Sequence, residues 1–118
     1  MKRFLALYLA TPEGRTGAGW DQLDEEERQR RQKEAFEAWV AWANEHAMSI
    51  VDQGGPVGKT KRADPDGITD TRNAVTAYTI VEADDHATAA RMFEKHPHFT
   101  LFPGDSVEIM ELLPMPEM

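Results

Sequence analysis

The chain has 118 residues, of which 41% are hydrophobic and 29% are charged, and this composition predicts one globular domain over 1–118. Its formal net charge of −8 leaves no basic surface for phosphates, so we expect neither nucleic acid nor anionic lipid as a partner. Cysteine is absent, which excludes disulfides, thiol catalysis and thiolate metal sites. A chain without cysteine suits a reducing compartment, and we expect a cytoplasmic protein.

The first predicted strand, residues 3–10, is apolar on both of its alternating faces. Phe4 and Tyr8 lie on one face, and Leu5 and Leu7 on the other. A strand that is apolar on both faces is normally buried on both faces. The same segment resembles a weak signal peptide, but its apolar run is too short and a strand explains it better. No run approaches the roughly 18 apolar residues that cross a membrane.

A long helix is predicted over residues 24–46. Asp24 is a good N-cap, and the three glutamates that follow it suit the positive end of the helix dipole. Trp42 and His46 are expected beside the buried stripe. The stripe is predicted from apolar residues that recur every three or four positions. They are Ala35, Phe36, Trp39, Val40 and Ala43.

A second strand is predicted from Met48 to Asp52, continuing after a Gly54-Gly55-Pro56 break as far as Thr60. Asp52 lies beside this kink and is expected to bond freed backbone groups rather than to act as a base. Residues 61–73 carry an Asp-Pro-Asp-Gly turn and predict a projecting hairpin arm or loop.

The remaining pattern gives a third strand over 74–82, a second helix from Asp84 or Asp85 to Lys95, and a last strand over 106–113. The order β-α-β-β-α-β predicts an α+β, ferredoxin-like fold with a four-stranded antiparallel sheet. The inner side of the second helix should carry Ala87, Ala90 and Phe93 or Glu94.

Both helices of this topology cover one face of the sheet and leave the other open. If Leu5, Leu7, Val107 and Ile109 meet the helices, bulky side chains stand on the open face, namely Phe4, Tyr8, Met110 and Leu112. We therefore predict a homodimer with stacked sheets, and a small-molecule pocket between the sheets or under the loops. The alternative is a monomer whose long loops fold over this face.

Three segments together resemble the YCII-related family, including its DGPF branch. They are residues 51–56, residues 77–84, and the His96-Pro97-His98 stretch with Gly104 and residues 107–109 after it. The resemblance covers nearly the whole chain and implies a dimeric α+β barrel. It also implies lyase or dehydrochlorinase chemistry on small cyclic compounds, as in some members, for which a His-Asp pair is proposed.

The chain departs from that family pattern at several positions. Ala38 and His96 stand where members with the proposed pair have their histidine and acid. Residues 68–70 match the start of the DGPF motif, but residues 71–73 do not continue it. His98 and Glu108 match residues that are common in the DGPF branch.

Histidine suits proton transfer near neutral pH, which makes His98, and after it His96, the catalytic candidates. Glu108 or Asp52 could orient such a histidine. The structural alternatives are a helix C-terminal His96 favoured by the dipole, a loop His98 bonded to a carbonyl, and a solvent-facing Glu108.

Ligand-binding candidates are predicted on the open face of the sheet. If Glu108 faces the cavity, then Met110 does too, and alternation should bring Tyr8 and Tyr78 to the same side with hydroxyls for a polar ligand. No cofactor is predicted, since phosphate loops and nucleophile elbows are absent from the sequence. No metal site is predicted either, because His46, His86, His96 and His98 lack a metal-binding spacing.

Three functional hypotheses follow. The first is a cofactor-independent proton-transfer lyase or isomerase with His98 and Glu108 as acid and base. The second is a non-catalytic dimeric binding module. The third, ranked below these, is a cofactor-free monooxygenase on the same barrel topology.

Overall fold

The structure is a computed structural model that describes residues 1–116. A 3₁₀ turn at Trp20–Gln22 precedes the long helix. The other elements are, in chain order, β1 (Lys2–Leu9), α1 (Pro12–Gly17), α2 (Glu25–Glu45), β2 (Ile50–Pro56), β3 (Thr60–Asp64), β4 (Gly67–Thr71), β5 (Val75–Ala83), α3 (His86–Arg91), α4 (Pro97–Thr100) and β6 (Ser106–Glu111).

The main sheet has the strand order β2-β5-β1-β6 with every neighbouring pair antiparallel. This is the predicted ferredoxin-like arrangement, in which the first and third strands of the β-α-β-β-α-β unit form the centre. The second strand differs from its prediction, because it ends at Pro56 instead of continuing to Thr60. Residues 60–71 instead form a separate two-stranded sheet, β3-β4, which confirms the hairpin arm.

The helix-covered face of β1 is the opposite of the one predicted. Phe4, Ala6 and Tyr8 are fully buried, whereas Leu5 and Leu7 lie on the open face and are half-buried. Cross-strand partners share a face. The partners of the three buried residues on β5 are the small or β-branched Val81, Thr79 and Ala77, all buried. Bulky rings on β1 therefore fill the space that small side chains on β5 leave.

The buried stripe of α2 is rotated from its prediction. Ala35 and Ala43 are buried as expected, but Trp42 is buried too, whereas Phe36 and Val40 are 66% and 42% exposed. The Trp42 indole N–H donates to the Met92 carbonyl at 2.8 Å, and its ring packs on Phe93 with centroids 5.0 Å apart. This hydrogen bond turns Trp42 inward and the Phe36 side of the helix outward. Asp24 caps α2 as predicted, accepting from the Glu27 N–H at 2.7 Å.

The second predicted helix is broken into two. The α3 helix, capped by Asp85, ends at Arg91 instead of Lys95, and the chain turns through Lys95, whose φ is +57°. Phe93 is buried as expected, but Ala87 and Ala90 are exposed and Ala89 is the alanine that packs inward. After this turn, the chain forms the short α4 helix, which carries His98.

The Gly-Gly-Pro segment of β2 forms an irregular pairing with β5, with register shifts on both sides of Asp52. Gly54 has φ of +64°, and a Cβ there would lie 2.0 Å from the Tyr78 carbonyl oxygen, so only glycine fits. Asp52 accepts from the Gly54 N–H at 2.9 Å, which confirms its predicted bond to the backbone.

In the described part of the chain, no helix is both long and apolar enough to cross a membrane.

Candidate functional site

A cleft of about 270 Å³ opens at one end of the sheet, where β1 ends and β5 begins. We call it the His98 cleft. Its lining is almost entirely apolar, because the Thr76 hydroxyl donates to the Tyr8 carbonyl at 3.1 Å and His98 is largely buried. The residues that line it are Ala10, Trp39, Pro56, Thr76, Ala77, His98, Phe102, Pro103 and Gly104.

His98 is held in the wall of this cleft by main-chain contacts. Its Nε2 lies 2.8 Å from the carbonyl oxygen of Leu9, the last residue of β1. Gly104 passes so close that a Cβ there would lie 2.4 Å from Cε1 and Nε2 of the ring. The Gly104 N–H also donates to the His98 carbonyl at 2.9 Å. The imidazole position therefore depends on glycine at 104.

The His98 imidazole is neutral near pH 7. A carbonyl oxygen can only accept, so Nε2 carries the hydrogen and Nδ1 of the neutral ring keeps its lone pair. Burial lowers the pKa of His98, and main-chain hydrogen bonds with Leu9 and Ser106, together with the negative charge of Asp105, oppose that shift. The charge of Asp105 thus favours the protonated form of the ring.

His96 is fully buried beneath His98. Its Nδ1 accepts the His98 main-chain N–H at 2.9 Å, which makes His96 the N-cap of α4. The prediction that His96 ends a helix is therefore wrong. Burial, more than the charges of His98 and His46, lowers the pKa of His96 to about 3. A neutral, fully enclosed ring of this kind positions α4 and has no contact with solvent.

Tyr8 lies on the helix-covered face, so the prediction that it shares a face with Glu108 is wrong. Its hydroxyl is 3.2 Å from Thr79 Oγ1 and 3.5 Å from His96 Nε2, and Thr79 in turn donates to the Gln53 carbonyl at 3.1 Å. Burial raises the pKa of Tyr8 to about 12. The hydroxyl thus joins β1, β5 and β2 below the cleft and is closed to ligands.

The other predicted site residues lie on the open face. Glu108 and Tyr78 both pair with Leu7, and Met110 pairs with Leu5. The Tyr78 hydroxyl donates to Asp52 across this face at 3.4 Å. Because His98 packs against Tyr8 on the covered face, with ring centroids 5.3 Å apart, one chain does not bring Glu108 to His98.

Sequence reasoning missed three residues around His98. Trp39 and Phe102 form the aromatic wall of the cleft, with ring centroids 6.0 Å apart, and Trp39 is 6.2 Å from the His98 ring. Asp105 is the acid whose charge reaches His98. The Pro103-Gly104-Asp105 turn could have indicated Asp105, because a tight turn shortly after His98 brings the chain back beside that residue.

Across residues 1–116, no three histidine or carboxylate side chains cluster as metal ligands. The cleft offers one imidazole ring and otherwise apolar walls, which suit an organic molecule rather than a metal ion.

Neither a protein-family model nor a curated protein sequence matches the chain. Among solved structures, the fold is similar to that of the 5-chloro-2-hydroxyhydroquinone dehydrochlorinase TftG from Burkholderia phenoliruptrix AC1100, in complex with 2,5-dihydroxybenzoquinone. The TM-score is 0.54 and the identity 16%, over 94% of this chain and 93% of that chain. At this identity the similarity concerns the fold alone, which is α+β with a four-stranded antiparallel sheet. The YCII-related and DGPF assignments stay predictions.

Proposed function

We propose that the protein is a homodimer that binds a small cyclic or aromatic molecule in the His98 cleft. We further propose that it moves a proton on that molecule without a cofactor, as a lyase or isomerase does. The observation that carries the proposal is a neutral, 5% exposed imidazole in the wall of an otherwise apolar cleft. A cytoplasmic location stays a prediction.

The size and lining of the cleft support a ligand with a single ring. Its volume is about 270 Å³. For comparison, an apolar cavity of about 150 Å³ is enough to bind benzene. Trp39 and Phe102 present aromatic surface on which a flat ring can stack. A ring bound there would displace water from these apolar walls.

The state of His98 supports proton transfer. The base accepts a ligand proton at Nδ1 while Nε2–H stays bonded to the Leu9 carbonyl, and the imidazolium then returns the proton to another ligand atom or to water. This removes the predicted role of Glu108 as its partner within one chain. Asp105 takes that electrostatic role in the proposal.

The open face of the sheet supports the homodimer. Leu5, Leu7 and Ile80 lie on it half-buried, and Met110 is 41% exposed on the β6 side. A second copy that stacks on this face would remove apolar surface from water. The dimer interface would then include Glu108, Tyr78, Asp52 and Met110. These residues could contact a ligand only in the assembled dimer.

Binding is tested with 2,5-dihydroxybenzoquinone, the compound in the TftG complex. Calorimetry should detect binding to the protein and to His98→Gln, whose amide can replace the Nε2–H bond to Leu9. Ala10→Leu should abolish binding because the larger side chain fills the cleft. Ala87→Leu, the same change on exposed surface, is the matched control and should bind normally. Unchanged binding in Ala10→Leu would show that the probe does not bind in the His98 cleft.

Catalysis is tested by chloride release from 5-chloro-2-hydroxyhydroquinone, the compound in the name of TftG. The proton-transfer hypothesis predicts release that falls at least about 100-fold in His98→Gln, since general acid–base groups typically contribute this much or more. The melting temperature should change little.

The second candidate function is a binding module without catalysis. The observation that favours it is that the His98 Nε2–H is already committed to a main-chain carbonyl, as in a structural histidine. Binding that is equal in the protein and in His98→Gln, with no chloride release from either, would support the module and contradict the lyase.

A further inference from the structure

A second cleft, of about 550 Å³, adjoins the His98 cleft. We call it the Arg72 cleft. The two clefts share Ala10 and Pro103 in their walls, so a molecule can extend from one into the other. Arg72 and Asn73 line the outer cleft beyond these shared residues.

Arg72 is the available positive charge in the outer cleft. Arg15 also lines it, but the guanidinium of Arg15 is paired with Asp21 at 2.7 Å. No carboxylate oxygen lies within 4.0 Å of the Arg72 guanidinium nitrogens in residues 1–116. The Arg72 guanidinium is therefore free to pair with an anionic ligand.

Asn73 adds a second donor beside Arg72. Its Oδ1 accepts the Val75 N–H at 2.9 Å, which fixes the side chain and leaves the amide NH₂ group as a donor. Both residues also line the wider space under the β3-β4 arm, where Lys59 contributes a further cation and the Asp70 carboxylate is paired with Lys61 at 2.8 Å. The donors on this side of the molecule therefore suit a negatively charged group.

We propose that the ring bound in the His98 cleft carries a carboxylate, and that Arg72 and Asn73 bind this carboxylate in the Arg72 cleft. The inference rests on the proposed function and names its substrate class as a small cyclic or aromatic acid. The ring packs against the aromatic wall that Trp39 and Phe102 form together, and the acid group extends past Ala10 and Pro103 to the guanidinium.

The donor set favours a carboxylate over a phosphate. A guanidinium presents two parallel N–H groups that match the two oxygens of a carboxylate. Phosphates are typically held by several main-chain N–H groups of a glycine-rich loop, and residues 72–74 contain no glycine. A locally positive cleft also offsets the repulsion that a chain of net charge −8 exerts on any anion.

The test compares two probes of the same shape by calorimetry, 4-hydroxybenzoate and 4-hydroxybenzamide, in which a neutral amide replaces the charged carboxylate. The benzoate should bind more tightly, and Arg72→Gln should weaken its affinity by about tenfold, the size of one charge-assisted hydrogen-bonded pair. Affinity for the benzamide should change less than about twofold in the same variant. A higher salt concentration should weaken the affinity for the benzoate but not that for the benzamide.

Arg62→Gln is the matched control, because it removes the same charge from the arm, where Arg62 pairs with Asp64 at 3.2 Å and lines neither cleft. It should leave both affinities unchanged. Equal binding of the two probes, with no effect of Arg72→Gln, would contradict carboxylate binding by Arg72 and leave the proposed function unaffected. Failure of both probes to bind at about 5 mM would overturn the inference together with the His98 cleft as a ligand site.

Discussion

His96 and His98 are two residues apart, but the structure gives them separate tasks. His96 is enclosed under the α4 helix and caps it through Nδ1, whereas His98 reaches the wall of the cleft. For His98 the sequence left open a catalytic role and a structural bond to a carbonyl, and the structure shows such a bond, to Leu9. The sequence could not predict the burial of His96, because that depends on Tyr8, which was placed on the wrong face.

The enclosed His96 makes stability depend on pH. Its folded pKa is about 3, below its usual value of 6.5, so below pH 6.5 the unfolded chain binds a proton that the folded chain does not. The free energy of unfolding therefore falls as the pH drops from 6.5 towards 3. His98, whose pKa is also lowered, acts in the same direction.

His96→Asn should flatten this dependence between pH 6.5 and pH 5, since asparagine keeps an N-cap acceptor but does not titrate. The slope should decrease by up to about 1.4 kcal/mol per pH unit, the contribution of one proton. Urea denaturation at a series of pH values measures it. An unchanged slope would show that His96 is not the buried titrating group.

At the scale of elements, the sequence predicted every strand of the main sheet and the N-cap of α2, but not which way β1 faces. The two faces of β1 are equally apolar, so alternation alone cannot predict which of them packs against the helices. One face carries Phe4, Ala6 and Tyr8, and the other carries Leu5, Leu7 and Leu9. The choice depends on partners across β5, where Ala77 and Thr79 leave room for rings. Tyr8 was placed on the open face for the same reason, whereas Glu108, Tyr78 and Met110 do lie there.

The kink in β2 requires glycine at 54 and not at 55. Gly54→Ala should lower the free energy of unfolding by about 2–4 kcal/mol, because it adds a Cβ at positive φ and 2.0 Å from the Tyr78 carbonyl oxygen. Gly55→Ala meets no atom within 4 Å and should cost less than about 1 kcal/mol. Chemical denaturation compares the two. Equal losses would contradict a requirement specific to Gly54.

The β3-β4 arm is a two-stranded sheet with no buried residue, and such hairpins are marginally stable alone. In the free chain, its amides should exchange with deuterium at least about 100-fold faster than those of β1 and β5. Exchange followed by mass spectrometry measures both regions in one sample. Equal protection would contradict an independent arm and would mean that a second surface covers it.

At the scale of the whole molecule, an open sheet face with Leu5, Leu7, Ile80 and Met110 predicts the homodimer. Sedimentation at micromolar concentration should give twice the chain mass of 13.3 kDa. Met110→Glu should shift the species to 13.3 kDa, because it places a charge in the interface. Phe36→Glu, on the exposed side of α2, is the control and should leave the dimer intact. A 13.3 kDa species from the unsubstituted chain would contradict the dimer.

If a ligand binds beside His98, the imidazole nitrogens of His98 report on it directly. Long-range ¹H–¹⁵N spectra, recorded during a titration with 2,5-dihydroxybenzoquinone, follow all four histidines at once. We expect a neutral Nε2–H ring for His98 whose signals shift as the probe binds, while those of His86, which stacks on Phe4 and lies 2.7 Å from the Ile109 carbonyl, stay in place. Binding of the probe that leaves the His98 signals unmoved would contradict this expectation.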